Sequence, residues 1–295
     1  LRPVKDLYGE IPAVDFSPTK LKVVRDRMIK LGWCRNVINQ RVGIIKRMFR
    51  WGAEEEKVPG ETAQALLCVR GLQRGRSEAR ESEPIQPVPE AHFKAILGQV
   101  SRQVAAMVQL QWLTGMRPGE VLQMRWKDVD RSGSIWLYRP AVHKTQHHGK
   151  DRVVPLGPQA QKILSGFPKL DPGAPLFSPV DADREYREAK AAGRKSKVQP
   201  SQVARHRKAQ ANPKRKLKDA YDLASYRHAI QRACDRAEVP RWSPNQLRHA
   251  AATRLRKEFG LEVARTVLGH SSSAVTEIYA ELDLTQAVRA MERSG

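Results

Sequence analysis

Apolar residues recur at helical spacing along most of the chain, and short alternating runs interrupt them. After Ser17-Pro18, a pair that suits a helix start, apolar residues follow at intervals of three or four: Leu21, Val24, Met28 and Leu31. A second apolar series continues the pattern at Val37, Val42, Ile45, Met48, Phe49 and Ala53. The N-terminal segment, residues 1–73, is therefore predicted to be helical.

Residues 74–90 break this periodicity. The segment is polar, contains Pro84, Pro87 and Pro89, and lacks a core pattern. A composition of this kind is typical of an interdomain linker. A length of 295 residues also suggests about two domains.

The remainder, residues 91–295, alternates helical patterns with two short strands. Helices are predicted at about 92–97, 102–113, 224–237, 246–259, 262–268 and 273–281, and a C-terminal helix follows. The strands are predicted at 134–138 and 152–156, with a polar hairpin connection between them. The fold class is thus mainly α with a small antiparallel β-sheet.

The net charge of the chain indicates a function that the helical pattern alone does not, namely binding to an anionic partner. With 53 Lys and Arg against 31 Asp and Glu, the formal net charge is +22. A chain this basic most often binds nucleic acid, and an anionic membrane surface is the weaker alternative. No run of about 18 apolar residues and no secretory signal pattern is present, so a cytoplasmic, nucleoid-associated protein is expected.

The charge is densest in a basic insertion at about 184–218. It holds 13 Lys and Arg and two acidic residues, a net of +11, without apolar periodicity. We expect partial disorder and sequence-independent attraction to DNA, or else a solvated, variable insertion.

A second basic surface is predicted on the second N-terminal helix. Its basic residues are interleaved with the apolar stripe: Arg35, Arg41, Lys46, Arg47 and Arg50. They would contact DNA phosphates, unless they form an ordinary solvated face. In the predicted hairpin, His147 and Lys150 are further candidates for DNA contact.

Cysteine and histidine spacing argues against a metal or a disulfide framework. Cys34, Cys68 and Cys234 are far apart and show no CxxC pairing. The His147-His148 pair has no carboxylate or cysteine neighbour. No metal and no cofactor is expected. Because residue 1 is Leu, we also expect a chain truncated at its N-terminus, where an arm-binding domain could precede it.

The candidate chemistry lies in four separated stretches. Arg117 stands in Thr-Gly-Met-Arg-Pro-Gly-Glu, Lys144 in the hairpin and Arg248 in Ser-Pro-Asn-Gln-Leu-Arg-His. His270 follows in Leu-Gly-His, and Tyr279 comes nine residues later. A tyrosine beside phosphate-binding groups is a nucleophile candidate. Together and in this order, the stretches resemble the tyrosine recombinase (phage integrase) family over essentially the whole chain.

The resemblance implies an N-terminal helical core-DNA-binding domain, a C-terminal catalytic domain and a role for each matched residue. Tyr279 would attack phosphorus and form a 3′-phosphotyrosyl link, while Arg117 and Arg248 clamp the phosphate. Lys144, or less favourably Lys150, would protonate the departing 5′-oxygen. His270 would hydrogen-bond the phosphate or the leaving region, and Glu120 matches the acidic residue that braces the site.

One position departs from the family pattern. The family usually has histidine three residues before its second arginine, and here that residue is Asn245. An amide can donate a hydrogen bond to a phosphate but cannot accept the tyrosine proton as a base. That role then falls to His270 or water, or is dispensable. The adjacent His249 is interpreted as a structural residue or a support for the site, because neighbouring helical residues point about 100° apart.

The resemblance also implies partners and an assembly. The substrate would be double-stranded DNA with core recombination sites, exchanged through a Holliday junction for a mobile genetic element. A homotetramer would form on synapsed DNA from a free monomer or weak oligomer. The C-terminal helix would dock on the neighbouring protomer, or else pack against its own chain. Directionality or DNA-bending factors would be additional partners. The alternatives are a type IB topoisomerase-like or resolvase enzyme, and a DNA-binding protein without cleavage activity.

Overall fold

The computed structural model describes residues 2–142, 151–211 and 216–269. Its contacts divide the chain into two compact units, one ending at Pro84 and the other beginning at Ile85. Each unit has its own cluster of buried apolar side chains. Within the described ranges, no helix is both long enough and apolar enough to cross a membrane.

The first unit consists of helices packed on one core. The helices are α1 Arg2–Tyr8, α2 Pro18–Lys30, α3 Arg35–Glu54 and α4 Gly60–Leu67, with a 3-10 turn at Ala13–Asp15. The hydroxyl of Ser17 accepts a hydrogen bond from the Lys20 backbone N–H at 3.3 Å, which caps α2. The two helices predicted from apolar spacing are confirmed as α2 and α3, and α4 lies within the segment predicted to be helical, although it was not located individually.

Three apolar residues assigned to the predicted pattern lie at the surface instead. Leu31, Val37 and Met48 are 47%, 37% and 44% exposed. Leu31 is the residue that ends α2. Val37 and Met48 each precede a buried residue of α3, namely Ile38 and Phe49, and successive helical positions are rotated by about 100°. The buried stripe of α3 therefore keeps the predicted Val42, Ile45 and Phe49, and it contains Ile38 in place of Val37.

The segment predicted as a linker contributes to both units. Ala79 is buried in the first core, and the Arg35 backbone N–H donates to the Arg80 carbonyl at 2.8 Å. Val88 is buried in the second core, and the Gln86 carbonyl accepts from the Gln246 side chain at 3.0 Å. The chain thus passes from one core to the other between residues 79 and 88.

The second unit combines helices with one small sheet. Its helices are α5 Glu90–Leu97, α6 Arg102–Thr114, α7 Pro118–Leu122, α8 Pro158–Ser165, α9 Pro179–Ala192, α10 Pro200–Ala211, α11 Leu223–Arg236, α12 Pro244–Phe259 and α13 Leu261–Leu268. Its strands are β1 Val129–Asp130, β2 Trp136–Tyr138 and β3 Val154–Leu156, and a 3-10 turn at Trp126–Asp128 precedes β1. The predicted fold class, mainly α with a small antiparallel sheet, is confirmed.

The sheet has the order β1-β2-β3, and both pairs are antiparallel. Val129 pairs with Tyr138, and Leu137 pairs with Pro155. The strands predicted at 134–138 and 152–156 correspond to β2 and β3, and β1 is too short for its two residues to show a pattern. The predicted hairpin connection, residues 143–150, lies outside the described residues, as does the predicted helix at 273–281 with the C-terminal helix after it.

The basic insertion contains regular structure that its composition did not suggest. Helices α9 and α10 cover much of residues 184–218. Charge pairs stabilise α9: Arg187 with Asp183 at 2.8 Å within the helix, and Arg102 of α6 with Glu185 at 2.5 Å. The excess positive charge lies after α9 in the sequence, since residues 193–218 contain ten Lys and Arg and no Asp or Glu.

A buried polar pair fixes the end of α6. The Tyr226 hydroxyl of α11 donates to Gln111 Oε1 at 2.8 Å, and Gln111 Nε2 donates to the Met116 carbonyl at 3.0 Å. Tyr226 and Gln111 are fully buried. A buried acceptor that loses its donor bears a desolvation cost, so this pair holds the turn that contains Met116.

We predict that Tyr226→Phe lowers the free energy of unfolding of the second unit by about 1–3 kcal/mol, the cost of leaving a buried amide oxygen without its donor. Urea titration measures this loss. Tyr186→Phe is the matched control, since Tyr186 is 64% exposed on α9. Equal effects of the two substitutions would contradict the prediction.

Candidate active site

The turn between α6 and α7 places Arg117 at the start of α7. Gly115 ends α6 with φ +65°, a left-handed conformation that favours glycine. A Cβ at Gly115 would lie 2.4 Å from Leu268 Cδ2 and 3.1 Å from Ala251 Cβ. Glycine therefore lets this turn approach α12 and α13 closely.

Glu120 is buried directly beneath Arg117, at 2% exposure. Its carboxylate accepts from the Arg117 backbone N–H at 2.8 Å and from Arg117 Nη1 at 2.9 Å. The carbonyl of Glu120 accepts from the Tyr138 hydroxyl of β2 at 2.7 Å. Arg117, which is half-buried, is thus fixed at both its backbone and its side chain by one carboxylate.

A second arginine reaches the same carboxylate, and sequence analysis missed it. Arg152 Nε lies 3.4 Å from Glu120 Oε1. Arg152 lies two residues before the start of β3 and is 5% exposed, and Val154 and Leu156 of the strand are also buried. Alternate residues of a strand share a face, so the series 152, 154, 156 signals a cation pointing into the core. Such a cation requires a buried partner.

Arg248 of α12 is also buried, and it joins two distant turns. Its Nη1 donates to the Gly115 carbonyl and its Nη2 donates to the Leu268 carbonyl, both at 2.7 Å. Gly115 lies two residues before Arg117, and Leu268 ends α13. The structure therefore brings Arg117, Glu120 and Arg248 into one connected network, although they were identified in separate stretches.

Asn245 lies in the first turn of the same helix and is exposed. The Ser243 and Gln246 side chains form the capping box that begins α12, with Gln246 Oε1 accepting from Ser243 N at 2.8 Å. Asn245 is not part of that cap and lies exposed one turn before Arg248. His249 is half-buried.

Burial and charge shift several pKa values around this network. Burial raises the pKa of Glu120, but the charges of Arg152 and Arg117 and the hydrogen bonds from Arg117 outweigh it and hold that pKa below its ordinary value. Burial lowers the pKa of Arg152, opposed by the Glu120 carboxylate. Burial, followed by the charge of Arg248, lowers the pKa of His249. Glu120 is accordingly ionised at neutral pH between charged guanidinium groups.

Five of the predicted site residues lie outside the described part of the chain, and their expected roles stay predictions: Lys144, His147, Lys150, His270 and Tyr279. In the part of the chain that is described, no group of three or more His, Cys, Asp or Glu side chains could hold a metal ion.

The predicted DNA-contacting residues of α3 divide into two groups. Arg35 is ion-paired with Glu81 at 2.6 Å, and Lys46 donates to the carbonyl of Val69 within the same unit. Burial lowers the pKa of Lys46. The remaining three are exposed on α3: Arg41, Arg47 and Arg50. The exposed set is the one whose geometry suits contact with a phosphate backbone.

We predict that Glu120→Gln removes about 3–5 kcal/mol of unfolding free energy at neutral pH, because Arg117 and Arg152 lose their buried counter-charge. The pKa of Glu120 is depressed, so its contribution is complete above the ordinary value of 4.5 and is lost as pH falls through the lower folded pKa. Urea titrations across this pH range should therefore show a weaker acid dependence in the variant.

The control for this prediction is Glu262→Gln. Glu262 pairs with Arg265 at 2.8 Å on the surface of α13, where an ion pair contributes little. An equal loss of stability in both variants would contradict the importance assigned to Glu120.

Comparison with known sequences finds similarity to tyrosine recombinases. Tyrosine recombinase XerC of Bifidobacterium longum (strain DJO10A) is 29% identical over 187 residues, which cover 63% of this chain and 45% of that protein. XerC of Corynebacterium efficiens is 23% identical over 296 residues, covering 99% of this chain and 82% of that protein. The chain thus aligns with less than half of the Bifidobacterium protein.

Solved structures share the fold. The Tn1549 transposon integrase (residues 82–397) in complex with circular intermediate DNA has a TM-score of 0.65 at 15% identity, covering 99% of this chain and 89% of that one. The λ integrase (75–356) dimer bound to a COC′ core site has a TM-score of 0.62 at 12% identity, covering 94% and 84%. A sequence model of the Phage integrase family matches residues 90–285. With the match extending over most of the second unit, the chain belongs to the phage integrase family.

Proposed function

We propose that this protein is a tyrosine recombinase that cuts and rejoins duplex DNA through a covalent phosphotyrosine at Tyr279. The observation that carries the proposal is the joining of Arg248 to the turn that presents Arg117. Arg248 Nη1 binds the Gly115 carbonyl at 2.7 Å, so two arginines from distant segments are fixed at one place. Family membership supplies the chemistry expected of such a pair.

The charge of the network favours an anionic ligand. Arg117, Arg152 and Arg248 carry three positive charges and Glu120 carries one negative charge, a sum of +2. A pentacoordinate phosphorane gathers additional negative charge on its non-bridging oxygens as it forms. Cations that are already in place stabilise that charge without reorganising, which is how electrostatic catalysis lowers a barrier.

The proposed reaction exchanges one phosphodiester for another. The Tyr279 oxygen forms a bond to phosphorus while the bond to the 5′-oxygen breaks, and the phenol proton passes to His270 or water. Lys144 donates a proton to the departing 5′-oxygen. Religation runs the same steps in reverse, with a 5′-hydroxyl as the nucleophile. The two esters are similar in energy, so no nucleotide cofactor and no metal is required.

Asn245 would assist by hydrogen-bonding the scissile phosphate. Its exposed position one turn before Arg248 corresponds to the histidine of the family pattern. An amide N–H can stabilise a phosphate oxygen, but it leaves proton acceptance to another group.

The substrate and the assembly follow from the same reasoning. The net charge of +22 and the exposed Arg41, Arg47 and Arg50 suit duplex DNA that carries core recombination sites. The Tn1549 relative is a transposon integrase, which supports a role with a mobile genetic element. We propose a tetramer on two synapsed sites that exchanges strands through a Holliday junction, aided by directionality or DNA-bending factors. It would act on the nucleoid in the cytoplasm.

We predict that the protein forms a covalent adduct on a nicked suicide substrate and that Tyr279→Phe forms none, because the variant lacks the nucleophilic oxygen. Denaturing gel electrophoresis with labelled DNA measures the adduct. Tyr186→Phe, a control on an exposed tyrosine, should react like the parent. An adduct that survives Tyr279→Phe would contradict this assignment, and no adduct from the parent would favour a DNA-binding role alone.

The DNA products formed from one recombination site and from two sites distinguish a recombinase from the related type IB topoisomerase-like enzymes. Strand exchange between two sites supports the recombinase, whereas relaxation of supercoiled DNA at single sites without exchange would assign the protein to type IB topoisomerase-like enzymes.

We predict that Asn245→Ala slows single-turnover cleavage by about 10²-fold, the loss typical of one donor to a developing oxyanion, while the Kd for the same DNA stays nearly unchanged. Asn245→His, which restores the family residue, should cleave at least as fast as the parent. Cleavage by Asn245→Ala at the parent's rate would remove Asn245 from the mechanism.

A further inference from the structure

The buried guanidinium group of Arg152 makes contacts on two sides. Its Nε lies 3.4 Å from Glu120 Oε1, on the side of Arg117. Its Nη1 donates to the Val267 carbonyl at 2.8 Å and to the Val153 carbonyl at 3.1 Å. One guanidinium group therefore connects the carboxylate beneath Arg117 with the last turn of α13.

The last turn of α13 is held by two arginines. Arg152 binds the carbonyl of Val267 and Arg248 binds the carbonyl of Leu268. The final carbonyls of a helix have no partner within it and carry partial negative charge, so cations stabilise them. Arg152 thus anchors the same helix end as the phosphate-clamping Arg248.

The packing around this contact leaves little room. Gly269 follows α13 with φ +65°, and a Cβ there would lie 2.8 Å from Arg152 Nη1. The glycine satisfies both constraints at once, because it accepts the left-handed conformation and the close guanidinium. In the sequence, the next residue is His270.

The hydrogen bonding of Arg152 is incomplete within the described part of the chain. Its Nη2 is buried there without a hydrogen-bond partner, and its Nε reaches Glu120 as an ion pair without hydrogen-bond geometry. A buried charge with unsatisfied donors is costly, and apolar side chains often stabilise a core better than a buried ion pair does. The stability of the fold therefore does not by itself explain why position 152 is an arginine.

We propose that Arg152 is a positioning residue for DNA cleavage, which holds the end of α13 at a fixed place relative to Glu120 and Arg117. This inference rests on the proposed function and extends it to a residue outside the family pattern used to recognise the site. Through α13, Arg152 sets where the chain leaves Gly269 toward His270. Through Glu120, it sets Arg117. The end of α13 and Arg117 then cannot shift independently of each other.

The first test compares Arg152→Gln and Arg152→Lys with the parent on a suicide substrate. With saturating DNA, Arg152→Gln should cleave about 10²-fold more slowly, the effect of misplacing reacting groups by about 1 Å, with little change in Kd. Arg152→Lys keeps the charge without the planar fork, so it should recover part of that rate.

The matched control is Arg254→Gln on α12. Arg254 is another partly buried arginine that binds a backbone carbonyl, donating to Trp112 O at 2.6 Å, and it stacks on the Trp112 ring. Arg254→Gln should cleave at nearly the parent's rate. If the two Gln variants lose cleavage to the same extent at comparable losses of Tm, Arg152 is only structural and the proposal is overturned.

The second test uses the contact with Gly269. Gly269→Ala introduces strain and pushes a methyl group against Arg152 Nη1, so it should slow cleavage in the parent. In an Arg152→Gln background the crowding is relieved, and the added loss should be smaller. Additive losses in the double variant would mean that the two residues do not act together, which contradicts the proposal.

The third test needs no catalysis and separates this inference from the proposed function. Hydrogen exchange of the amides in residues 261–269 should accelerate in Arg152→Gln and remain at the parent's rate in Arg254→Gln. Unchanged exchange in Arg152→Gln would overturn the anchoring role. If Arg152→Gln accelerates this exchange but the parent protein forms no DNA adduct, the anchoring role of Arg152 stands and the recombinase activity is rejected.

Discussion

The second unit depends on one constraint: the carboxylate of Glu120 is buried and must keep its counter-charges. Arg117 supplies two hydrogen bonds and Arg152 supplies a further positive charge. Removing Glu120 would leave the Arg117 and Arg152 guanidinium groups without their shared counter-charge, which costs several times more than a surface ion pair is worth. The start of α7, the start of β3 and, through Tyr138, strand β2 are therefore fixed relative to one another.

Arginine is suited to this arrangement for a reason of shape as well as charge. Arg248 uses two nitrogens of one planar group to bind carbonyls on two different turns, at Gly115 and Leu268. A lysine ammonium is a point charge and could not hold both acceptors in a fixed geometry. The candidate site is thus built by guanidinium groups that connect segments far apart in the chain.

Sequence predicted the helices whose signal is local. Apolar periodicity located α2, α3, α5, α6, α11, α12 and α13, which bury apolar residues at helical spacing. It did not locate α4 and α8 individually, nor α9 and α10, whose faces are polar. The burial of Ile38 instead of Val37 in α3 shows a further limit, because apolar spacing does not decide which of two adjacent apolar residues is buried.

The candidate site was predictable only in part. The motif order identified Arg117, Glu120, Asn245 and Arg248, and the structure joins Arg117, Glu120 and Arg248 in one network. Alternation in β3 could have marked Arg152 as inward-facing, but its partners at Glu120 and Val267 lie far away in sequence. Likewise, nothing local distinguishes Arg35 and Lys46, which bind Glu81 and Val69, from the exposed arginines of α3.

The concentration of charge after α9 has a consequence for how the protein meets a polyanion. Helix α9 is fixed to α6 through Glu185, and α11 is fixed by its buried residues, so the basic stretch at 193–218 has both ends attached to the second unit. Its ten cations therefore cannot diffuse away from that unit. An anion bound elsewhere on the unit encounters them at an effective concentration set by the length of the stretch, independent of the concentration of protein in solution.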